Sequence, residues 1–464
     1  MTQTATAPTA TGSTMPAAPP AGGRRRDLRT ARRRRGSDAI QRWLEGTPGR
    51  LRIAAAASVL ACVLFALLGA SAFQARGDAL AEARADAAQL IRVQQIATSV
   101  VQADSLFTNG RLAPGLETSS QLAQYDSAIA IASRSIAQAS GADPADAADL
   151  STVSQELTVY TARVASARAT NSLGLQVATG YLRQASDQLR GSAQQPQGVP
   201  AVPGMLPTLN RLITANTQRV ADAYSASGWA TWRLVAAAVL ALGGLGAAQY
   251  WLARTTHRYL NLPLATASLA VIVMIIVGGL VMAAAQGTAN QVKDGSYAAT
   301  LALAKARIAA YSGKSQQSIA LIYLGTGGDY TTAEASYQND YDSARTQLQA
   351  AGTITGADPG LGSLAAWNAA NTKVYASATA GTFWAPTSAQ AAQNVTVLNS
   401  VNATFQRLED STNAALATQA NDVDQGLASH YGLLVVTGWL ILVIGLIAAG
   451  AAWIGVSQRL EEYR

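Results

Sequence analysis

Apolar residues gather in four long runs, at residues 53–73, 229–252, 262–285 and 433–456. Each is long enough to cross a bilayer, which takes about 20 residues. The stretches between them, 74–228 and 286–432, follow a different pattern. After the first run Leu80, Ala83, Ala87, Leu90, Gln94, Ala97 and Val101 alternate three and four residues apart, the seam of a helix that packs against other helices. After the third, Leu301, Ala304, Ile308 and Tyr311 keep the same spacing. No proline interrupts residues 51–113 or 265–358, so each first helix is expected to run outward from its span. In the first half it would cover about 55 residues, on the order of 80 Å at 1.5 Å per residue.

Turn formers divide the rest. "NGRLAPG" (109–115) and "GTGGDYTT" (325–332) end the first helix of each stretch, and "GADP" occurs at 141–144 and 356–359. In both "GADP" copies Gly suits a helix end, Asp a cap and Pro a first turn. Asp143 and Asp358 are therefore read as caps. A third break is "QQPQGVPAVPG" (194–204) in one half and "GTFWAP" (381–386) in the other. Four helices per stretch result, the first and last continuous with spans.

The two halves also repeat. "YDSA" recurs at 125–128 and 341–344, "GADP" as above, and "VY" at 159–160 and 374–375, always offset by 215 or 216. Three matches in register mark an internal duplication. The predicted fold is an all-α membrane protein: four transmembrane helices with two tandem extracytoplasmic four-helix bundles forming a pseudo-dimer. The boundaries are a basic segment 1–50, spans 51–73, 229–252, 262–285 and 433–456, bundles 74–228 and 286–432, a loop 253–261 and a tail 457–464. This resembles the outer domains of bacterial chemoreceptors and sensor kinases, whose homodimers carry four spans and two bundles.

Charge sets the orientation. Arg24, Arg25, Arg26, Arg29, Arg32, Arg33, Arg34, Arg35, Arg42, Arg50 and Arg52 precede the first run, Arg254 and Arg258 lie between the second and third, and Arg459 and Arg464 follow the fourth. The positive-inside rule puts all three in the cytoplasm of a multi-pass plasma-membrane protein, with both termini inside. Ala70-Ser71-Ala72 looks like a signal-peptidase site, but the run is longer than a signal core and follows a long polar leader; an uncleaved anchor is expected. Residues 1–23, rich in Thr, Ala and Pro, are expected to be disordered.

Composition narrows the chemistry. Hydrophobic residues make up 49% of the 464, charged residues 13%, and the chain has two histidines and one cysteine, Cys62. An internal disulfide and a Cys/His zinc site are excluded. No catalysis and no cofactor are expected. The net charge of +7 comes mainly from the first segment, where Arg24, Arg25, Arg26, Arg32, Arg33, Arg34 and Arg35 suit attraction to anionic lipid or docking of an acidic partner. No nucleic-acid partner is expected, since nothing there presents those arginines as a binding fold.

Ligand or partner candidates are few. Tyr125 and Tyr341 recur in the repeat, with packing as the plainer reading. Arg92 and Arg111 suit a bidentate carboxylate contact, though arginines on bundle faces are ordinary. Phe383 and Trp384 have no counterpart in the first half; they suit a protein anchor or a fold-back onto their own bundle.

Four spans, a basic Ala/Arg-rich first segment, two helical outer domains and the terminal "QRLEEYR" together resemble the GlnX-type membrane proteins of actinobacteria. At the residue level only the tail carries this likeness, and no functional residue transfers. The resemblance implies an amino-acid-binding lipoprotein outside, a soluble serine/threonine protein kinase inside, and a role in glutamate and nitrogen metabolism. Only about eight polar residues follow the last run, which also points to a separate cytoplasmic output. Other readings are a direct chemoreceptor-like sensor, a structural or adhesion protein of the envelope, and a transporter. A transporter would be expected to place charges or broken helices within its spans.

Overall fold

The computed structural model describes residues 47–112, 117–170, 175–192, 203–256, 262–381, 383 and 388–461. Its helices are α1 (Thr47–Gly110), α2 (Ser119–Ala142), α3 (Ala147–Ala169), α4 (Leu175–Arg190), α5 (Met205–Thr256), α6 (Leu262–Val292), α7 (Ala298–Thr326), α8 (Thr331–Thr355), α9 (Leu361–Thr379), α10 (Ser388–Ala428) and α11 (Tyr431–Glu461). No strand occurs among the described residues. Four helices or helix runs are long and apolar enough to cross a membrane, beginning at Arg52, Met205, Leu262 and Thr396. Large apolar side chains along them stay exposed, Trp229, Leu240, Leu280 and Ile447 among them, as a lipid-facing surface requires.

Two compact units divide the chain. One comprises residues 1–64, 240–272 and 444–464. Within it α1 and α5 pack closely, since a Cβ on Gly244 would meet the Ala61 Cβ at 2.7 Å. The Gln249 amide donates to Ser268 Oγ at 2.8 Å, tying α5 to α6. The other unit holds residues 65–239 and 273–443, so both bundles share it with the adjoining halves of the spans. There Gly69, Gly278 and Gly438 let α1, α6 and α11 meet around Phe73 and Ile441, the small-residue contact that helices use in lipid.

The first bundle is built from α1, α2, α3 and a fourth member shared by α4 and α5. The expected pairing of breaks 194–204 and 381–386 needs correction. At the 215-residue offset, the break between α9 and α10 corresponds to the one between Ala169 and Leu175, which the sequence reading missed. The 194–204 stretch has no counterpart break, because α10 runs unbroken past the equivalent point. Gly191 and Gly204 lie against each other with φ of +85° and +77°, so α4 and α5 meet end to end. Residues 193–202 lie outside the described chain.

The caps follow the repeat with one difference. Thr118 opens α2 with a reciprocal capping box to Gln121. Asp143 Oδ1 accepts from Ala145 N–H, and Asp358 accepts from the N–H groups of Gly360, Leu361 and Gly362. Gly356 ends α8 at φ +71°, whereas Gly141 stays helical and α2 ends at Ala142.

The halves also differ where bundle helices approach their spans. α1 and α5 pass through without interruption, but a π-helical turn, Lys293–Tyr297, separates α6 from α7, and residues 429 and 430 separate α10 from α11. Val292, just before the π turn, is seated on Gly426, just before the other break.

Gly360 offers a local test. Its φ is +125°, and a Cβ there would stand 2.7 Å from Ser411 Oγ. Gly360→Ala is expected to destabilise the second bundle by roughly 1–3 kcal/mol, whereas Gly141→Ala, in open helical surroundings, should be neutral or stabilising by up to about 1 kcal/mol. Thermal unfolding of the two variants followed by circular dichroism checks the contrast.

Candidate functional site

The central stretch of α7 is buried on every side, although Lys305 and Gly325 are exposed. From Gly313 to Ile322 each residue is buried, including the polar run Lys314, Ser315, Gln316, Gln317 and Ser318. Burying a polar run is unfavourable without partners; Ser315 finds one in the first bundle and Lys314 a ring face in the second, while Ser318 bonds back to the Lys314 carbonyl and Gln317 Nε2 has no hydrogen-bond partner. Asp104 on α1, 1% exposed, is the hub. Its Oδ1 accepts from the Tyr160 hydroxyl at 3.2 Å, and its Oδ2 accepts from Arg190 Nη1 at 3.0 Å and from Ser315 Oγ at 2.5 Å. One carboxylate thus joins α1, α3 and α4 of the first bundle to α7 of the second.

Further contacts extend this seam. Gln102 Nε2 donates to Glu409 Oε1 at 2.9 Å, joining α1 to α10. Arg84 and Asp424 pair in bidentate fashion between the same helices, but both are about half exposed, so the pair adds little. Between α5 and the turn leading into α7, the Lys293 ammonium lies 5.9 Å from the Tyr224 ring centre. α1 with α10 and α5 with the α7 side are the pairings expected of a pseudo-dimer.

Beside the seam, Arg307, Tyr311 and Lys314 share one face of α7. The Lys314 ammonium stands 4.3 Å from the Phe405 ring centre, a cation–π contact. Burial lowers its pKa from 10.5 to about 8, with the Glu409 charge opposing. Burial also pushes the Tyr311 phenol well up, reinforced by Glu409.

A second cluster lies in the first bundle. Glu117 accepts two hydrogen bonds from Arg168, at 2.8 and 2.7 Å. The Arg168 guanidinium stands 4.2 Å from the Tyr125 ring centre and 5.7 Å from that of Phe107, which Arg111 also covers at 5.1 Å. The Tyr125 hydroxyl and Arg111 Nη2 are buried without hydrogen-bond partners. Burial lowers the Arg111 pKa.

A third cluster surrounds the first "GADP". Asp146 accepts from Gln89, Asn216 and Arg219, and Arg219 also binds Asp143. It borders an open groove of about 750 Å³ lined by Glu82, Asp86, Arg92 and Asp222 as well. Burial, then the Glu82 charge, raises the Asp86 carboxyl.

These positions sort the candidates. Arg111 and Tyr125 come together around Phe107 and Arg168. Arg92 does not join them: it lines the groove 19 residues back along α1, about 28 Å away at 1.5 Å per residue. Tyr341 packs 6.5 Å from the Tyr337 ring. Phe383 is buried and its N–H donates to the Ser377 carbonyl, the fold-back alternative. Trp384, and Arg24, Arg25, Arg26, Arg32, Arg33, Arg34 and Arg35, lie outside the described residues. The sequence reading missed Asp104, Arg190, Arg307, Lys314 and Glu409. The usable signal was a lysine three residues past Tyr311 on the α7 seam.

Residues 79–225 match the family model described as an actinobacterial sensor domain. The matched region is the first bundle, so the site lies partly within a stretch similar to a sensing module. The sensor similarity and the membrane-compatible helices support a sensing or signalling role. No curated protein and no solved structure gives a significant match.

Two measurements test the seam. Asp104→Ala leaves Arg190 without its buried partner and is expected to cost about 3–5 kcal/mol. With Ser315→Ala it should show a coupling of roughly 0.5–3 kcal/mol in a double-mutant cycle. Lys314→Met addresses the buried ammonium. The unfolded chain holds that proton up to about 10.5 and the folded chain only to about 8. The penalty is therefore full below pH 8 and gone above 10.5. The variant should exceed the native protein in stability at pH 7 by on the order of 3 kcal/mol, and the gap should close as pH rises through that window. Buried tyrosines titrate in both proteins and cancel in the comparison.

Proposed function

We propose that the chain is a transmembrane signalling relay. Its bundles lie outside the cell, both termini lie in the cytoplasm, and the cue is amino-acid availability, presented by a solute-binding lipoprotein. The receiver is a separate cytoplasmic serine/threonine protein kinase. The sensor-domain match supports the sensing half, and the likeness to GlnX-type proteins supports the partner classes.

One observation carries the relay itself: the helices that meet at the polar seam also lead to spans. α1 bears Asp104 and runs unbroken from Thr47 to Gly110, and α7 bears Ser315 on a run that begins at Leu262. A cue that changes how the bundles meet has to rearrange buried hydrogen bonds between these helices. Packed polar interfaces of this kind favour discrete states over continuous deformation. The π turn and the break before α11 add two sites of helix irregularity, both in the second half.

A second reading is direct sensing by the first bundle, favoured by the unspent donors of Arg111 and Tyr125. It requires no lipoprotein.

The deciding experiment is crosslinking and pull-down of the full-length protein from its own membranes, with and without glutamate or aspartate. Recovery of a solute-binding lipoprotein and a cytoplasmic kinase, shifted by amino acid, is the expected outcome. Recovery of envelope proteins alone, unchanged by amino acid, would replace the relay with a structural role. Amino acid bound by the purified protein without a lipoprotein would favour direct sensing.

A further inference from the structure

The open groove of the first bundle lies between α1, the turn after α2, and α5. Its volume of about 750 Å³ falls within the range of about 300–1,000 Å³ usual for small-molecule sites. The charged lining is Glu82, Asp86 and Arg92 on α1, Asp143 after α2, and Arg219 and Asp222 on α5; alanines and Gln89 make up the rest. Except for Ala226, every lining residue falls within 79–225, the stretch that matches the sensor-domain family. One wall is held rigidly. Asp146, 1% exposed, accepts from Gln89, Asn216 and Arg219, and Arg219 also pairs with Asp143. Those bonds fix α1, α5 and the first "GADP" turn in one arrangement.

The other charges of the groove are unspent and of both signs. Neither Glu82 nor Asp86 enters a hydrogen bond or ion pair with a described residue. Arg92 has only a 3.5 Å contact with Gln89 Oε1, too long to satisfy a guanidinium. Asp222 takes one amide proton from Gln218 and has lone pairs left over. These groups are also sorted along α1. Arg92 stands six residues beyond Asp86 and ten beyond Glu82, about 9 and 15 Å at 1.5 Å per residue. A free guanidinium thus marks one end and unpaired carboxylates the other. A bare metal ion fits this lining poorly, since no group of three metal ligands converges among the described residues and Arg92 would repel it. An occupant with a carboxylate at one end and more than one cationic group satisfies the whole set.

We propose that this groove binds a basic amino acid, with its carboxylate on Arg92, its α-ammonium on Asp86 and its side-chain cation between Glu82 and Asp222. The inference rests on the sensing role of this region and on neither the lipoprotein nor the kinase. A solute held this way bridges α1 and α5, and it ties together the two helices that run unbroken into the first two spans. The second bundle does not share the site. At the 215-residue offset Asp86 corresponds to Leu301, which packs against the core, and Arg92 to Arg307, which is 7% exposed.

The test uses the full-length protein in detergent micelles at pH 7 and fixed ionic strength, titrated calorimetrically with L-lysine and L-arginine, and with cadaverine and L-glutamate in parallel. At least one basic amino acid should bind. Cadaverine, which lacks the carboxylate, should bind several-fold more weakly than lysine, and glutamate, of the wrong net charge, should give no signal. Arg92→Gln should weaken the basic amino acid by about tenfold while leaving cadaverine unchanged, a split that a merely structural role would not produce. Asp86→Asn removes a carboxylate bonded to no described residue and should weaken both ligands, with circular dichroism confirming helical content. No binding of either basic amino acid up to about 10 mM, or binding that both substitutions leave unchanged, would overturn the proposal. So would cadaverine binding as tightly as lysine, or glutamate binding more tightly. None of these outcomes alters what crosslinking recovers, so failure of the groove and failure of the relay are read separately.

Discussion

The Asp104 carboxylate fixes how the two bundles meet. It is buried to 1% exposure and accepts from residues on three other helices. A carboxylate so placed is strongly unfavourable unless its lone pairs are used. Those partners can be supplied only if α1, α3, α4 and α7 hold one register. A slide of α7 by one turn, about 5.4 Å, would bring Ile319 towards the place of Ser315 and leave the carboxylate short of a donor. Apolar packing alone would tolerate such a slide, because this interface is rich in alanine and offers many near-equivalent fits. The polar hub therefore supplies specificity that the alanine surfaces cannot.

The same demand explains why α7 is at the centre. A helix buried all round is normally apolar all round, yet α7 carries five consecutive polar residues in its buried stretch. Gly313 helps to make this possible: a Cβ there would come 3.2 Å from the Asp340 Cβ and 3.7 Å from Trp367, so α8 and α9 approach closely on that side. Trp367 is fully buried and stacks edge-on against Tyr337 and Phe405. The aromatic core of the second bundle thus lies directly beneath the ammonium of Lys314, whereas in the first bundle guanidinium groups, Arg168 and Arg111, lie against Tyr125 and Phe107. Duplication supplied two similar bundles, and each now buries charge of its own kind: the carboxylates Asp104 and Asp146 in the first, the cations Arg307 and Lys314 in the second.

Much of this architecture is written in the pattern of residues. The four apolar runs, the three-and-four spacing from Leu80 to Val101 and the two "GADP" caps all depend on local rules, and α1, α5, Asp143 and Asp358 follow them. The break after Ala169 was missed because its turn formers are Asn171 and Gly174, weaker signals than the prolines of 194–204. The seam was missed for a different reason. Polar side chains such as Ser315 and Lys314 read as surface from composition, and the groups they meet, Asp104 and Phe405, lie 211 and 91 residues away along the chain. Of the proposed site residues, Arg111 and Tyr125 meet because a third residue, Arg168, fills the space between their rings and charges. Nothing in their separate positions foretold it.

The unequal halves bear on how a change in the bundles would travel. α1 and α5 leave the first bundle as regular helices, which resist bending and transmit displacement along their length. The second half places a π turn at Lys293–Tyr297 and a two-residue break before Tyr431. π turns hold backbone hydrogen bonds in a strained spacing and are often found where a helix must readjust. Val292 seated on Gly426 keeps α6 and α10 in contact at this level, so adjustment there would move the pair together. A rearrangement at Asp104 and Ser315 would then reach the first half's spans as rigid displacement and the second half's as a local change of helix geometry.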